Sequence, residues 1–142
     1  MTVSFTAYGL PVPQGSTRAF VVKGKAVTTS ASKGLKPWRD TISSTARTTM
    51  AETGAEPLTG PVNVRALFFL PRPKSRPKRD LYPDRRPDID KLLRGVLDGI
   101  TGPVIADDAQ VVTVVAYKHY VAEPAGLGMR EPGVMVTVWA TA

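Results

Sequence analysis

Residues 87–110 constrain this chain more than any other stretch. Pro87-Asp88-Ile89-Asp90 leads into a segment, Lys91 to Gly99, whose apolar positions repeat at helical spacing, and Ala106-Asp107-Asp108-Ala109-Gln110 follows. Leu92, Leu93, Val96, Leu97 and Ile100 share one face, the pattern of a helix buried on one side. The other face carries Asp90, Arg94 and Asp98 at i, i+4 and i+8. Gly99, Gly102 and Pro103 are expected to stop the helix, and the chain then returns with Asp107 and Asp108 to a β-branched run, Val111 to Val115. An antiparallel return over about 15 Å of helix, at roughly 1.5 Å per residue, would let the second acidic pair approach the first.

Asp88 and Asp90 are two apart, so an extended lead-in projects both from one side of the chain. Asp90 suits the N-cap of the helix. Four carboxylates thus gather around one helix in a chain with 19 basic and only 12 acidic residues, which invites a cation to hold them. Hard oxygen ligands suit Mg²⁺ or Mn²⁺, and with no Cys and one His the chain is a poor zinc binder. A cation held this way beside a phosphate activates water and stabilises the oxygens of an in-line displacement. Each pair also has an ordinary structural reading. Asp-x-Asp caps helices and offsets their dipole, Asp90 with Arg94 is an i,i+4 pair, and Asp107-Asp108 suits a turn.

Taken together, Pro87-Asp88-Ile89-Asp90, Arg94, Asp98 and Asp107-Asp108-Ala109-Gln110-Val111 resemble the RusA family of Holliday junction resolvases. The likeness extends upstream to Pro71-Arg72-Pro73-Lys74 and, more loosely, over most of the chain. It implies a homodimer that makes two symmetric nicks in a four-way junction, with Mg²⁺ as cofactor, Mn²⁺ as a substitute, and 5′-phosphate and 3′-hydroxyl products. It further implies that Asp88, Asp90 and Asp108 are the metal-binding catalytic carboxylates, with Asp107 beside them. Two positions depart from the family pattern: Lys91 stands where Asn is usual, and Arg94 where a functional Lys is usual. Arginine stays protonated, so Arg94 could act only by stabilising charge on the phosphate or the leaving oxygen.

At 142 residues the chain is expected to form one domain, 1–142. Its formal charge of +7 and pI near 10.0 call for a polyanionic partner. No run reaches the roughly 18 apolar residues of a membrane span and no leader opens the chain, so a cytoplasmic address is expected; the resemblance implies a phage or prophage source in a bacterial host. The expected fold is α+β, a small mixed β-sheet from strands near 2–8, 61–70, 111–121 and 133–140, packed by two main helices near 37–52 and 90–100. Trp38, Ile42, Ala46 and Met50 form the inner stripe of the first helix. Lys23-Gly24-Lys25 reads as the tip of a hairpin. The second face of 61–70, which includes Leu67 and Phe69, suggests burial near one end or a subunit contact. His119 reads as a strand position and Trp139 as core or interface.

Between Pro71 and Arg86 the composition shifts to prolines interleaved with Arg72, Lys74, Arg76, Lys78, Arg79, Arg85 and Arg86. So many prolines exclude regular secondary structure. A basic loop of this length is expected to contact phosphate and to become ordered on DNA, with Lys91 and Arg18 adding charge. Two other classes stay open: a DNA-binding protein of the same ancestry whose altered site is inactive, and a different Asp-x-Asp metal enzyme such as a nucleotide-sugar transferase. The basic loop and the lack of a nucleotide-binding pattern disfavour the latter and any nucleotide cofactor. A membrane-surface role is weaker again, since no basic amphipathic helix is evident.

Overall fold

A computed structural model describes residues 1–15, 17–30, 34–122 and 128–141, and the side chains of 17–22 and 25–30 lie outside that description. Strand alternation organises the sheet. In β1 (Thr2–Tyr8), Val3, Phe5 and Ala7 point inward and are buried while their neighbours face outward. A hairpin follows, β2 (Thr17–Val22) and β3 (Lys25–Ser30), forming its own two-stranded sheet. Its turn is Lys23-Gly24, both at positive φ (50° and 77°), the backbone that a two-residue hairpin turn demands.

The first helix, α1 (Leu35–Thr53), lies between Gly34 and Gly54, both left-handed, and buries Leu35, Trp38, Ile42, Ala46 and Met50. The expected stripe is therefore observed, extended by one residue. β4 (Val62–Leu70) alternates Val62, Val64, Ala66, Phe68 and Leu70 into the core. On its opposite face Leu67 is half-buried and Phe69 buried, stacked on His119 at 5.5 Å, so burial on both sides does occur toward the end of this strand.

The helix α2 (Ile89–Ile100) differs from the expectation in two respects. Asp88, not Asp90, occupies the N-cap position, extended at φ −71° and ψ 141° with no side-chain capping bond, and Asp90 falls in the first turn. Nor does Gly99 stop the helix. Gly95 and Gly99 are buried inside it and form the surface that meets α1. A Cβ at Gly99 would lie 2.6 Å from Ile42 Cγ2 and 2.9 Å from Ile42 Cβ, so only glycine permits this approach. The buried face is consequently rotated toward α1, leaving Leu93 and Leu97 half-buried on the far flank.

After α2 come a 3₁₀ turn (Asp108–Gln110), β5 (Val111–Tyr120) and β6 (Gly133–Ala140). The four-stranded sheet has the order β1-β6-β4-β5, with β4 and β5 parallel and the other neighbours antiparallel. It is the expected mixed sheet. Both helices pack on one face, α1 over β1 and α2 over β4 and β5. Among the described residues no helix is long and apolar enough to cross a membrane.

Candidate active site

The basic loop between β4 and α2 has no regular secondary structure, yet it is tied down by cations that point inward. Arg72 Nη1 donates to the carbonyls of Pro77 (3.0 Å) and Asp80 (2.7 Å), and its guanidinium lies 4.4 Å over the Tyr120 ring. The Arg76 side chain is only 8% exposed and pairs with Asp84 at 2.8 Å and Asp80 at 3.6 Å. Lys118, on β5, donates from Nζ to the carbonyls of Arg85 (2.8 Å) and Pro87 (2.9 Å). The loop therefore carries its own ordering contacts without DNA, and Arg72 and Arg76 hold its shape. Lys74, Lys78, Arg79, Arg85 and Arg86 are exposed and supply its outward charge. Lys118 escaped the sequence reading because a lone strand lysine carries no signal of the carbonyls that topology brings to it.

The hydrogen bond from Arg76 holds the Asp84 carboxyl below the usual carboxylate range, and the carboxylate in turn raises the Arg76 guanidinium. A depressed carboxyl pKa stabilises the fold above the unfolded value of about 3.9, and that contribution is lost as pH falls through the lower folded value. Hydrogen exchange should report it. Loop amides 72–86 are expected to lose protection in Asp84→Asn at neutral pH, and in the wild type only once pH drops below about 4. Equal protection in the two proteins at neutral pH would show that the pair does not order the loop.

Past the loop, the Arg86–Pro87 peptide is cis and the chain enters α2 with Asp88 and Asp90 both exposed. Asp88 lines a cleft together with Pro13, Gly15, Arg86, Pro87 and Lys91, and is the acidic member of that lining; Asp90 is not part of it. Pro13 and Gly15, in the segment that follows β1, form one wall, fastened by the Gln14 amide donating to the Lys91 carbonyl at 2.9 Å. Lys91 Nζ sits 3.5 Å from Asp90 Oδ2. Arg94 lies one turn further along and is exposed, and the anticipated Asp90–Arg94 pair is absent among the described residues. Asp98 instead meets Arg39 of α1 at 3.4 Å. Arg18 lies on β2, where its side chain is outside the described residues.

Asp107 and Asp108 sit elsewhere. Asp107 caps the 3₁₀ turn, Oδ1 accepting from the Ala109 amide at 2.9 Å, while Gln110 Oε1 accepts from the Asp107 amide at 3.1 Å. Gln110 Nε2 then donates to the carbonyls of Leu58 and Gly60, both at 3.0 Å, which anchors the turn at the start of β4 and β5. Asp108 is exposed.

The two acidic pairs thus occupy opposite ends of the molecule. Twelve residues of α2 separate them, about 18 Å of helix. β5 makes the same measurement independently: its first residue follows Gln110, whereas Lys118, seven residues on and roughly 23 Å along the strand, is the one that reaches Pro87. The expected approach of one pair to the other does not occur within a chain, because α2 returns antiparallel to β4 and β5 then runs parallel to β4, carrying the chain away again. Among the described residues no three acidic or imidazole side chains gather as a metal site would need. A single chain offers Asp88 and Asp90 at one end and Asp108 at the other, which does not fit the three-carboxylate set.

Comparison with known proteins adds an independent line. Residues 9–130 match the family model described as Endodeoxyribonuclease RusA. The chain is also similar to a Bacillus subtilis (strain 168) protein described as uncharacterized protein YqaN, at 32% identity over 132 residues, covering 86% of this chain and 90% of that one.

Proposed function

Because the chain belongs to the RusA endodeoxyribonuclease family, we propose that it is a divalent-metal-dependent endonuclease that resolves four-way DNA junctions by paired nicks. The observation that carries this reading is the placement of a prefolded cationic loop immediately before two exposed carboxylates. Lys78, Arg79, Arg85 and Arg86 offer phosphate contacts, and Asp88 and Asp90 stand where the loop delivers the backbone. Asp108 is the third carboxylate of the proposed set, and Arg94 is proposed to stabilise charge on the phosphate. Mg²⁺ is the proposed cofactor, with Mn²⁺ as substitute.

The test is a labelled synthetic four-way junction incubated with Mg²⁺ or Mn²⁺ beside a matched duplex. Paired symmetric nicks in the junction alone are the expected result. Binding without nicking in either metal favours a second reading, a junction-binding protein that has lost its chemistry. The contact of Lys91 Nζ with Asp90 supports that alternative, since an ammonium there competes with a metal for the carboxylate.

Affinity should follow the outward cations. Replacing Lys78, Arg79 and Arg86 together by Ala is expected to weaken junction binding and to flatten the dependence of log K on log salt by roughly 0.9 for each phosphate no longer neutralised. An unchanged slope in a salt titration would move the DNA-binding surface off this loop.

A further inference from the structure

β5 carries a lysine where its register calls for an apolar side chain. Lys118 pairs with Phe68, which is fully buried, and Ala116, two residues earlier on the same face, packs against the core. A half-buried ammonium is costly without acceptors, and Lys118 has two: its Nζ donates to the Arg85 carbonyl at 2.8 Å and to the Pro87 carbonyl at 2.9 Å. Charge-assisted bonds of this kind are the stronger ones. Both acceptors come from far back in the chain, 33 and 31 residues earlier. They lie on either side of Arg86, immediately before Asp88.

Among the described residues, these two are the hydrogen bonds that Arg85, Arg86 and Pro87 make. Proline has no amide to donate. Asp88 itself occupies the N-cap position without a side-chain capping bond, and its carbonyl accepts from the Leu92 amide at 3.1 Å. The helix therefore fixes Asp88 from downstream, and Lys118 fixes it from upstream. We infer that Lys118 is a positioning residue: by gripping the Arg85 and Pro87 carbonyls it sets where α2 begins and thus where the Asp88 carboxylate stands. For what Asp88 does there, this rests on the endonuclease reading above. Lys118 acts through the backbone and not on the phosphate, since carbonyls take two of its three donors. That separates it from the outward cations Lys78, Arg79 and Arg86.

Lys118→Met keeps the bulk of the stem and removes every donor. It is expected to leave junction affinity and the slope of log K on log salt unchanged, whereas loss of a phosphate contact flattens that slope by roughly 0.9. Nicking at saturating junction should nevertheless fall by roughly 10–100-fold, the scale on which a site residue that has lost its support costs rate. With rates scaled to the folded fraction read by circular dichroism, a merely structural lysine would not produce that split between rate and binding. Lys118→Gln, one bond shorter and too short to grip both carbonyls, keeps a polar tip should the methionine fold poorly. It should show the same split.

A second measurement needs no nuclease activity. The Leu92 amide makes the first bond of α2, so its hydrogen exchange reports whether the helix start is held. It should exchange faster in Lys118→Met than in the wild type, with amides in the second half of α2 unchanged. A wild type that nicks no junction, with faster Leu92 exchange in the variant, would overturn the endonuclease reading and sustain the positioning role. With an active wild type, the positioning role falls and the endonuclease reading stands if the folded variant nicks at the full rate, loses binding and nicking together, binds with a flatter salt slope, or exchanges Leu92 no faster.

Discussion

Asp90→Asn is expected to reduce junction nicking by more than the roughly 10–100-fold that loss of even an outer-sphere partner costs a metal site. The change removes a charge and no volume. Asp90 is exposed in the first turn of α2, and its ion pair with Lys91 at 3.5 Å is a surface contact that contributes little to folding. Thermal stability should therefore stay within about 0.5 kcal/mol of wild type, as is usual for surface substitutions. Junction affinity should hold or rise slightly, because one negative charge beside the proposed phosphate path is gone. Gel-shift and nicking assays on the same preparations separate the two effects. Nicking at wild-type rate would remove Asp90 from the chemistry, and lost binding together with lost nicking would point to a positioning role.

Gly99→Ala is expected to destabilise the protein by about 1–3 kcal/mol, the typical cost of forcing an extra group into a packed interface. In an exposed helix the same change would stabilise by up to about 1 kcal/mol, since alanine is the better helix former. Here the new methyl meets Ile42 at Cγ2 and Cβ, the latter fixed to the α1 backbone, so α2 has to move away from α1. A shift of that helix also displaces Asp88 and Asp90 at its start. Urea unfolding should show a lower midpoint at unchanged slope, with nicking reduced beyond what the folded fraction explains. Unchanged or raised stability would mean that the two helices are not in close contact at Gly99.

Reading the sequence succeeded where local rules act alone. Alternation in residues 2–8 and 61–70 marks strands because side chains alternate faces whatever the strand pairs with. The Trp38–Met50 stripe marks α1 because a helix that buries one side repeats at 3.6 residues. The hairpin tip is legible in Lys23-Gly24-Lys25 because glycine readily takes the positive φ that a tight turn demands. Family membership was legible too, since the order and spacing of Asp88, Asp90, Asp107 and Asp108 survive in the primary sequence.

Reading failed where a position depends on what lies across from it. Gly99 looks like a helix stop by composition, and only the crossing of α2 on Ile42 makes it an interior contact. Arg72 and Arg76 are indistinguishable from Lys78 and Arg79 in a basic run, yet the carbonyls of Pro77 and Asp80 and the carboxylate of Asp84 turn them inward. Spacing alone also suggested that Asp108 returns to Asp88. The sequence by itself determined the elements, the charge and the carboxylates available for chemistry, because these follow from local periodicity and residue type. Tertiary structure alone decided where those carboxylates lie. The direction of β5 against β4 is a long-range pairing that no local pattern encodes, and it sets the two acidic pairs at opposite ends of one chain.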